Sequence, residues 1–239
     1  MVGTVVEFCG LPGAGKSTIA RGLVARLRLQ GIPTTEVMAP IGPSAGRTAR
    51  LRRKSAVIAR GVTSRGGAVI ATNVGFRSRQ TDARDRVARP ANLLVVRDAV
   101  RRGRARAGVH VLDQGPVQEW WSAALRADDA RVLAWAAADP APRADLVVRV
   151  DAPPDVLAAR LAQRAERQSR LEGVDGPALE AELARGAGLL DALCEQLVHS
   201  PGTHRPVLIR VEGFGPGAVD SVGEALRRLG WPGAAGEAT

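Results

Sequence analysis

Residues Gly10-Leu11-Pro12-Gly13-Ala14-Gly15-Lys16-Ser17 spell Gly-x-x-x-x-Gly-Lys-Ser, and no other stretch of the chain constrains its fold as tightly. The run before it, Gly3-Thr4-Val5-Val6-Glu7-Phe8-Cys9, is apolar and β-branched and stops abruptly at glycine, as a buried strand does. Behind it, Ile19, Leu23, Val24 and Leu27 recur at helical spacing, which puts Ser17 and Thr18 in the first turn of a helix. A glycine-rich turn between a strand and a helix lets successive backbone N–H groups curl inward, and the helix N-terminus adds to their attraction for phosphate oxygens. Residues Gly10 to Thr18 are therefore the expected cradle of a nucleoside triphosphate. Lys16 would reach the β- and γ-phosphates and the Ser17 hydroxyl would hold Mg²⁺. Lysine usage sharpens this reading. Of 34 basic residues only Lys16 and Lys54 are lysine, so a chain that favours arginine keeps a slim ammonium where a broad guanidinium fork would not fit.

A length of 239 residues suits one substantial α/β domain, and no internal repeat or long linker divides it. With no tyrosine and 3% aromatic residues, the core has to be built from Val, Leu, Ile and Ala. Cys9 and Cys194 have neither a disulfide-framework nor a zinc spacing and read as small buried hydrophobes. No basic leader followed by an apolar segment opens the chain, and no run reaches membrane-spanning length, so a soluble cytoplasmic protein without a membrane partner is expected. The net charge of +10 is unevenly placed: residues 47–106 hold 17 basic and 3 acidic side chains. Such a block suits an anionic partner, and equally a set of solvated helix faces.

The remaining pattern alternates strand and helix. Thr34–Met38 reads as a second strand, followed by a Pro/Gly loop and a basic block with helical pieces around 47–61, 78–88 and 91–102; Ala68–Thr72 is ambiguous. Val109–Asp113 is a further buried strand, residues 117–137 a long helix with Trp120, Trp121 and Trp135, and Asp145–Asp151 a fourth strand. A helix from Asp155, its N-cap, to about Arg170 follows, then another over 177–198, a last strand over 206–211 and a last helix over 217–229. Five apolar strands separated by helices imply a parallel sheet covered on both faces, with ligands at the strands' carboxyl ends. The tail, about 232–239, should fray.

Asp113 falls at such a strand end. A carboxylate there can hold Mg²⁺ or accept a proton from an attacking hydroxyl. Asp151 competes for the role, but Asp113-Gln114-Gly115 opens straight into a helix whereas Asp151 precedes Pro153-Pro154. Arg160, Arg164, Arg167 and Arg170 follow at helical spacing. They read either as a solvated basic face or as a lid whose arginines neutralise a transferring phosphoryl group.

With these residues in place the chain resembles the P-loop nucleoside monophosphate kinase superfamily, and thymidylate kinases in particular. The resemblance is carried by Asp145–Glu172, with Val-Asp-Ala-Pro-Pro-Asp-Val-Leu-Ala-Ala-Arg-Leu at its centre and Ser169-Arg170-Leu171-Glu172 at its end. Leu93-Leu94-Val95-Val96-Arg97-Asp98, Val111-Leu112-Asp113-Gln114-Gly115 and Val211-Glu212-Gly213 extend it along the whole chain. It implies a P-loop NTPase fold, a three-layer α/β/α sandwich on a five-stranded parallel sheet, with a helical acceptor lobe over about 40–106 and a lid over about 160–176. Thymidylate kinases carry Glu before the loop, Asp within it and an Asp-Arg pair on the third strand; here the positions are Cys9, Pro12 and Asp113-Gln114. The loop's own wording suits small-molecule kinases such as adenylylsulfate kinase as well.

The expected function is transfer of the γ-phosphoryl group of ATP, with Mg²⁺, to a small-molecule acceptor that is anionic or nucleoside-like. Lys16, Asp113, Arg160 and Arg164 would serve the chemistry, with Arg167 and Arg170 in the lid. Arg47, Arg77, Arg97 and Gln114 would face the acceptor and Phe76 would offer a stacking surface. Two alternatives stand beside this: a nucleic-acid kinase that uses the 47–106 block, and a nucleotide switch or ATPase without an acceptor. The chain contains no Asn/Thr-Lys-x-Asp guanine-reading motif and no Leu-Ser-Gly-Gly signature. Association as a homodimer is compatible with all three.

Overall fold

The five runs that read as strands become the five strands of one parallel sheet. They are β1 (Thr4–Gly10), β2 (Thr34–Glu36), β3 (Val109–Leu112), β4 (Leu146–Asp151) and β5 (Val207–Glu212). The computed structural model describes residues 3–38, 47–127, 131–163, 174, 176–199, 205–213 and 215–231. The strand order is β2-β3-β1-β4-β5. β1 is central, and Val5, Val6, Phe8 and Cys9 are wholly buried because helices cover both faces.

One face is covered by α1 (Lys16–Leu29), α7 (Pro154–Ala162) and α9 (Pro216–Arg228), whose Ile19, Leu23, Leu157 and Val222 pack on Val6, Phe8 and Val148. The other is covered by α4 (Ala83–Arg104), α5 (Pro116–Leu125), α6 (Arg131–Ala137) and α8 (Gly176–His199), which meet Val5, Leu112 and Val147 through Val100, Trp120, Trp121 and Leu190. This is the expected three-layer sandwich. The helix after β1 goes to one face and the helix after β3 to the other, so the crevice between these adjacent strands opens at their carboxyl ends.

Several expected boundaries moved, each for a local reason. The long helix over 117–137 is two helices. Ala127 is drawn out to bridge Gln80, and the Arg126 carbonyl accepts from Thr81 N–H. Trp135 thus belongs to α6, where Arg131 lies over its ring at 5.6 Å. The pieces expected at 78–88 and 91–102 are the single helix α4, which starts at the Asp82 cap and continues through Pro90. Proline removes one N–H, and the Arg86 carbonyl it would have met lies against Gly75. Ala68–Thr72 is helical: α3 (Arg65–Ile70), capped by Ser64 Oγ, runs into a π-helical segment at Ala71–Arg77. These pack with α2 (Arg47–Val62) and α4 as a helical lobe beside the sheet. Pro153, not Asp155, caps α7, and Asp155 sits in its first turn. Arg164, Arg167 and Arg170 of the expected lid, and the tail 232–239, lie outside the described residues. Among the described residues no helix is long and apolar enough to cross a membrane.

Candidate active site

The loop after β1 folds as its residues require. Gly13 and Gly15 hold φ of 90° and 99°, a left-handed region closed to most side chains. Ala14 N–H bonds to the Leu11 carbonyl, and Gly15 starts α1 by accepting from Thr18 and Ile19 N–H. Lys16 is 9% exposed, and its Nζ donates to the Gly10 and Leu11 carbonyls at 2.7 and 3.0 Å. The ammonium is therefore held inside the curl of the loop. Arg160, from the last turn of α7, reaches across and donates to the Gly13 carbonyl at 3.1 Å.

The second element is the turn from β3 into α5. Asp113 follows β3, and its Oδ2 accepts from Ser17 Oγ at 3.3 Å. Residues 96 positions apart thus present a hydroxyl and a carboxylate to one point beside the loop. Such an all-oxygen pair suits Mg²⁺, and the glycine-curled loop with its enclosed ammonium suits the phosphates of a nucleoside triphosphate. Asp151, the rival acid, accepts from Arg149 Nε at 2.8 Å on the neighbouring strand. Gln114 is exposed.

What holds Asp113 in place is a contact that the sequence reading missed. α5 starts at Pro116 after Gly115, with no side-chain cap of its own, so its first N–H groups need an outside acceptor. Glu7, from the middle of β1, supplies it: Oε1 accepts from Val117 N–H at 2.5 Å and from Gln118 N–H at 3.4 Å. Gly115 makes this possible, because a Cβ there would lie 2.4 Å from the Glu7 carboxyl carbon. Gln118 returns the connection, its Oε1 accepting from Gly10 N–H at 3.0 Å. β1 and α5 are stitched together at the mouth of the crevice. The available signal was a lone acid in an otherwise apolar strand.

Burial pushes the Glu7 carboxyl up to about 8, against the two helix N–H bonds that favour its charge and with Glu119 nearby reinforcing the rise. The unfolded chain would ionise this group near 4.5. Its contribution to stability is thus fully present below that value and is lost as pH rises towards about 8, with a slope of up to roughly 1.4 kcal/mol per pH unit. Glu7→Gln keeps an acceptor for α5 and cannot ionise, so its unfolding free energy should be flatter than that of the natural chain between pH 5 and 8. Parallel slopes in urea titrations across that range would contradict the assignment.

A second buried polar group lies further along α5. Glu119, 7% exposed, is held by Asn92 and lies 3.6 Å from Arg89 Nη1; Arg89 Nε also meets the fully buried Asp85 at 3.2 Å. Burial pushes the Glu119 carboxyl up, with Arg89 opposing. One Glu119 oxygen and the Gln80 carbonyl oxygen are buried without a hydrogen-bond partner.

The residues expected to face the acceptor have separate fates. Arg97 donates to the Gly66 carbonyl at 3.2 Å and pairs with Asp139 at 3.1 Å, so in this structure its guanidinium has protein partners. A guanidinium left 15% exposed is better satisfied by a carboxylate 9% exposed than left without a partner. Phe76 is 84% exposed at the end of the π-helical segment, with Arg77 exposed beside it. Arg47 begins α2, and its side chain lies outside the described residues. Arg97→Ala should therefore cost about 1–3 kcal/mol of stability, as the loss of a largely buried charged hydrogen bond does, and leave nucleotide affinity unchanged. A loss of acceptor affinity without a loss of stability would instead support the expectation that Arg97 faces the acceptor.

None of the curated protein sequences matches this chain. Among solved structures it is similar to a deoxyadenosine kinase from M. mycoides, determined with the products dCMP and a flexible dCDP bound. That likeness has a TM-score of 0.53 at 11% identity over 94% of this chain and 100% of the other, a likeness of fold. The fold is that of a P-loop kinase, and the chemistry of the crevice agrees with a nucleotide-binding role. A family model described as an AAA domain (AAA_33) matches residues 5–188, and the chain belongs to that P-loop NTPase family.

Proposed function

We propose that the protein is a kinase that transfers the γ-phosphoryl group of ATP to a small nucleoside-like or nucleotide acceptor. The observation that carries this reading is the 3.3 Å approach of Ser17 Oγ to Asp113 beside the loop that encloses Lys16. Backbone N–H groups between Gly10 and Thr18 would hold the phosphates, and Lys16 would place a point charge on them. Ser17 and Asp113 would hold Mg²⁺, which when bound supplies positive charge against the phosphate oxygens. Asp113 either serves only in this way or also takes the proton of an acceptor hydroxyl. Arg160, lying over Gly13, is available to oppose charge that develops on the transferring group.

The nucleoside-like acceptor is supported by the polar group around Glu119. Glu119 is the fourth residue of α5, one turn inside the helix that Asp113 leads into, and Arg89 and Asn92 face it from α4. Paired donors and acceptors in a buried setting suit the hydrogen-bonding edge of a base or sugar. At the position where thymidylate kinases have arginine, Gln114 is neutral and exposed. Charge for the acceptor then has to come from elsewhere, and Arg89 is the candidate. The fold neighbour's bound dCMP and dCDP agree with this class.

A screen of nucleosides, nucleotides and other metabolites for acceptor-dependent ADP release tests the reading. An acceptor that raises ADP release well above the acceptor-free rate is expected. Tight ATP binding with a rate no acceptor changes would instead favour a nucleotide switch or ATPase. With the acceptor in hand, Glu119→Gln should raise its KM about tenfold, the size of one lost charged hydrogen bond, and leave ATP affinity within a few fold. The exposed Phe76 and Arg77 favour one further reading, an acceptor at the end of a nucleic-acid strand. Its mark would be binding that weakens steeply as salt rises.

A further inference from the structure

Between the sheet and the helices α5, α6 and α8 lies a cavity of about 30 Å³. Its floor is formed by Glu7 and Val147, register partners on β1 and β4. Val117 and Trp120 of α5 and Leu193 of α8 close over it. It runs towards the exposed Pro142, ahead of β4, and Pro206, the residue before β5, and so opens at the amino ends of the strands. Asp113 and the phosphate loop lie at the carboxyl ends. The cavity thus reaches the first turn of α5 from behind the candidate active site.

Glu7 is its inner polar group. The side chain is 1% exposed, and both of its hydrogen bonds to α5 use Oε1. Among the described residues Oε2 has no protein hydrogen bond. Asp139 and Arg143, also on the wall, are engaged with protein. Asp139 accepts from Trp120 Nε1–H and Ala141 N–H and pairs with Arg97, and Arg143 donates to the Ala137 and Leu197 carbonyls. The cavity therefore offers a ligand apolar walls with a carboxyl oxygen at the inner end. Burial keeps the Glu7 proton on at neutral pH, so a charged ligand would leave its water without a counter-ion. A hydroxyl both donates and accepts, and so matches the carboxyl in either protonation state. The volume is that of roughly two or three waters, which suits a short apolar chain with a small polar head.

We propose that this cavity is a second ligand site, which takes a small uncharged alcohol with its hydroxyl group on Glu7 Oε2, and that filling it tightens nucleotide binding at the phosphate loop. The alkyl part packs on Val117, Trp120, Val147 and Leu193, and its removal from water supplies most of the affinity. The hydroxyl supplies the preference for an alcohol over an apolar molecule of the same shape, since it replaces the hydrogen bonds that a displaced water would make.

The link to function follows from position, and rests on the nucleotide-binding reading above. Glu7 Oε1 caps α5 at Val117 and Gln118, and Gln118 Oε1 accepts from Gly10 N–H at 3.0 Å. Gly10 in turn holds Lys16 Nζ on its carbonyl at 2.7 Å. A ligand that fixes the Glu7 carboxyl from below and packs on Val117 therefore steadies the turn that carries Gln118, and with it the first residue of the phosphate loop. A nucleotide then meets a loop with less left to order, and binds more tightly. The coupling is reciprocal, so the nucleotide must raise the affinity for the alcohol by the same factor.

The test titrates the purified, isotope-labelled protein with propan-1-ol and, separately, with 1-chloropropane, which has the same chain without the hydroxyl. Nuclear magnetic resonance reads the indole N–H of Trp120, and a fluorescent ATP analogue reads nucleotide affinity. Expected is a saturable shift of the Trp120 signal in the millimolar range, the affinity open to so few atoms, with the signals of Trp135 and Trp231 in place. 1-Chloropropane should bind about threefold or more weakly, the share of one hydrogen bond. With the alcohol saturating, the analogue should bind about fivefold more tightly, a coupling of ordinary size. Ala137→Leu places a larger side chain on the half-buried wall of the cavity. It should abolish both effects and leave the alcohol-free affinity for the analogue unchanged. The titration of the natural chain needs no variant to fold. Absence of a saturable Trp120 shift through the millimolar range overturns the proposal, as does tighter binding of 1-chloropropane than of the alcohol, or an analogue affinity unchanged with the cavity filled. If the protein fails to bind the analogue at all, the nucleotide reading fails, while the Trp120 shift still reports on the cavity.

Discussion

Replacing Lys16 with alanine should lower phosphoryl transfer by at least ~10²–10³-fold, the loss that follows removal of one preorganised charge from a transition state. Lys16 sits inside the loop, 9% exposed, with its Nζ on the Gly10 and Leu11 carbonyls at 2.7 and 3.0 Å. Those carbonyls already orient the ammonium, so little reorganisation is needed when phosphate oxygens arrive. Lys16→Arg should rescue little of the loss. Its planar fork is broader than an ammonium and cannot sit between two carbonyls that a single nitrogen now bridges. Turnover on the acceptor returned by the screen, with thermal unfolding as the control for folding, checks both variants. Near-normal turnover in Lys16→Ala would remove the phosphate-loop reading of Gly10–Ser17.

This loop was legible because its chemistry is local. The glycines, the lysine and the hydroxyl are dictated by the backbone conformation and the phosphate, and both are encoded within a few residues. The parallel sheet was legible for a similar reason: apart from β2, each strand is a short apolar run, and every strand has a helix after it. The strand order β2-β3-β1-β4-β5 was not, since it depends on which helices cross to which face.

What the sequence hid were the partners of side chains far apart in it. Arg97 looked available on a basic helix, and nothing local indicates that Asp139 would come within 3.1 Å of it. Glu7 was visible as an acid in an apolar strand, but its role as the cap of a helix 110 residues away follows only from the packing of α5 on β1. Glu119 was one acid among many until α4 brought Arg89 and Asn92 against it. Pro90 misled in the other direction. It marks a helix boundary in isolated sequence, and tertiary packing carried α4 through it.

Asp113→Asn should lower kcat by about 10²-fold or more while the fold survives, because it removes a charge aimed at the reacting groups without changing shape. The Asp113 carboxylate is half-buried, and its Oδ2 accepts from Ser17 Oγ at 3.3 Å. Asparagine can keep that hydrogen bond through its own carbonyl oxygen, so the turn from β3 into α5 has no reason to move. Glu7 and Gln118 hold that turn independently of Asp113. Asp151→Asn gives the contrast. Its carboxylate serves Arg149, whose guanidinium also pairs with Asp191, so that variant should lose stability through a weakened ion pair and keep its kcat. The two variants therefore separate along different axes: kcat without stability for Asp113, stability without kcat for Asp151. Measuring kcat and the denaturant midpoint for both decides the assignment. If Asp151→Asn lost turnover and Asp113→Asn kept it, the acid of the site would belong to β4, and the crevice between β1 and β4 would have to hold the acceptor instead.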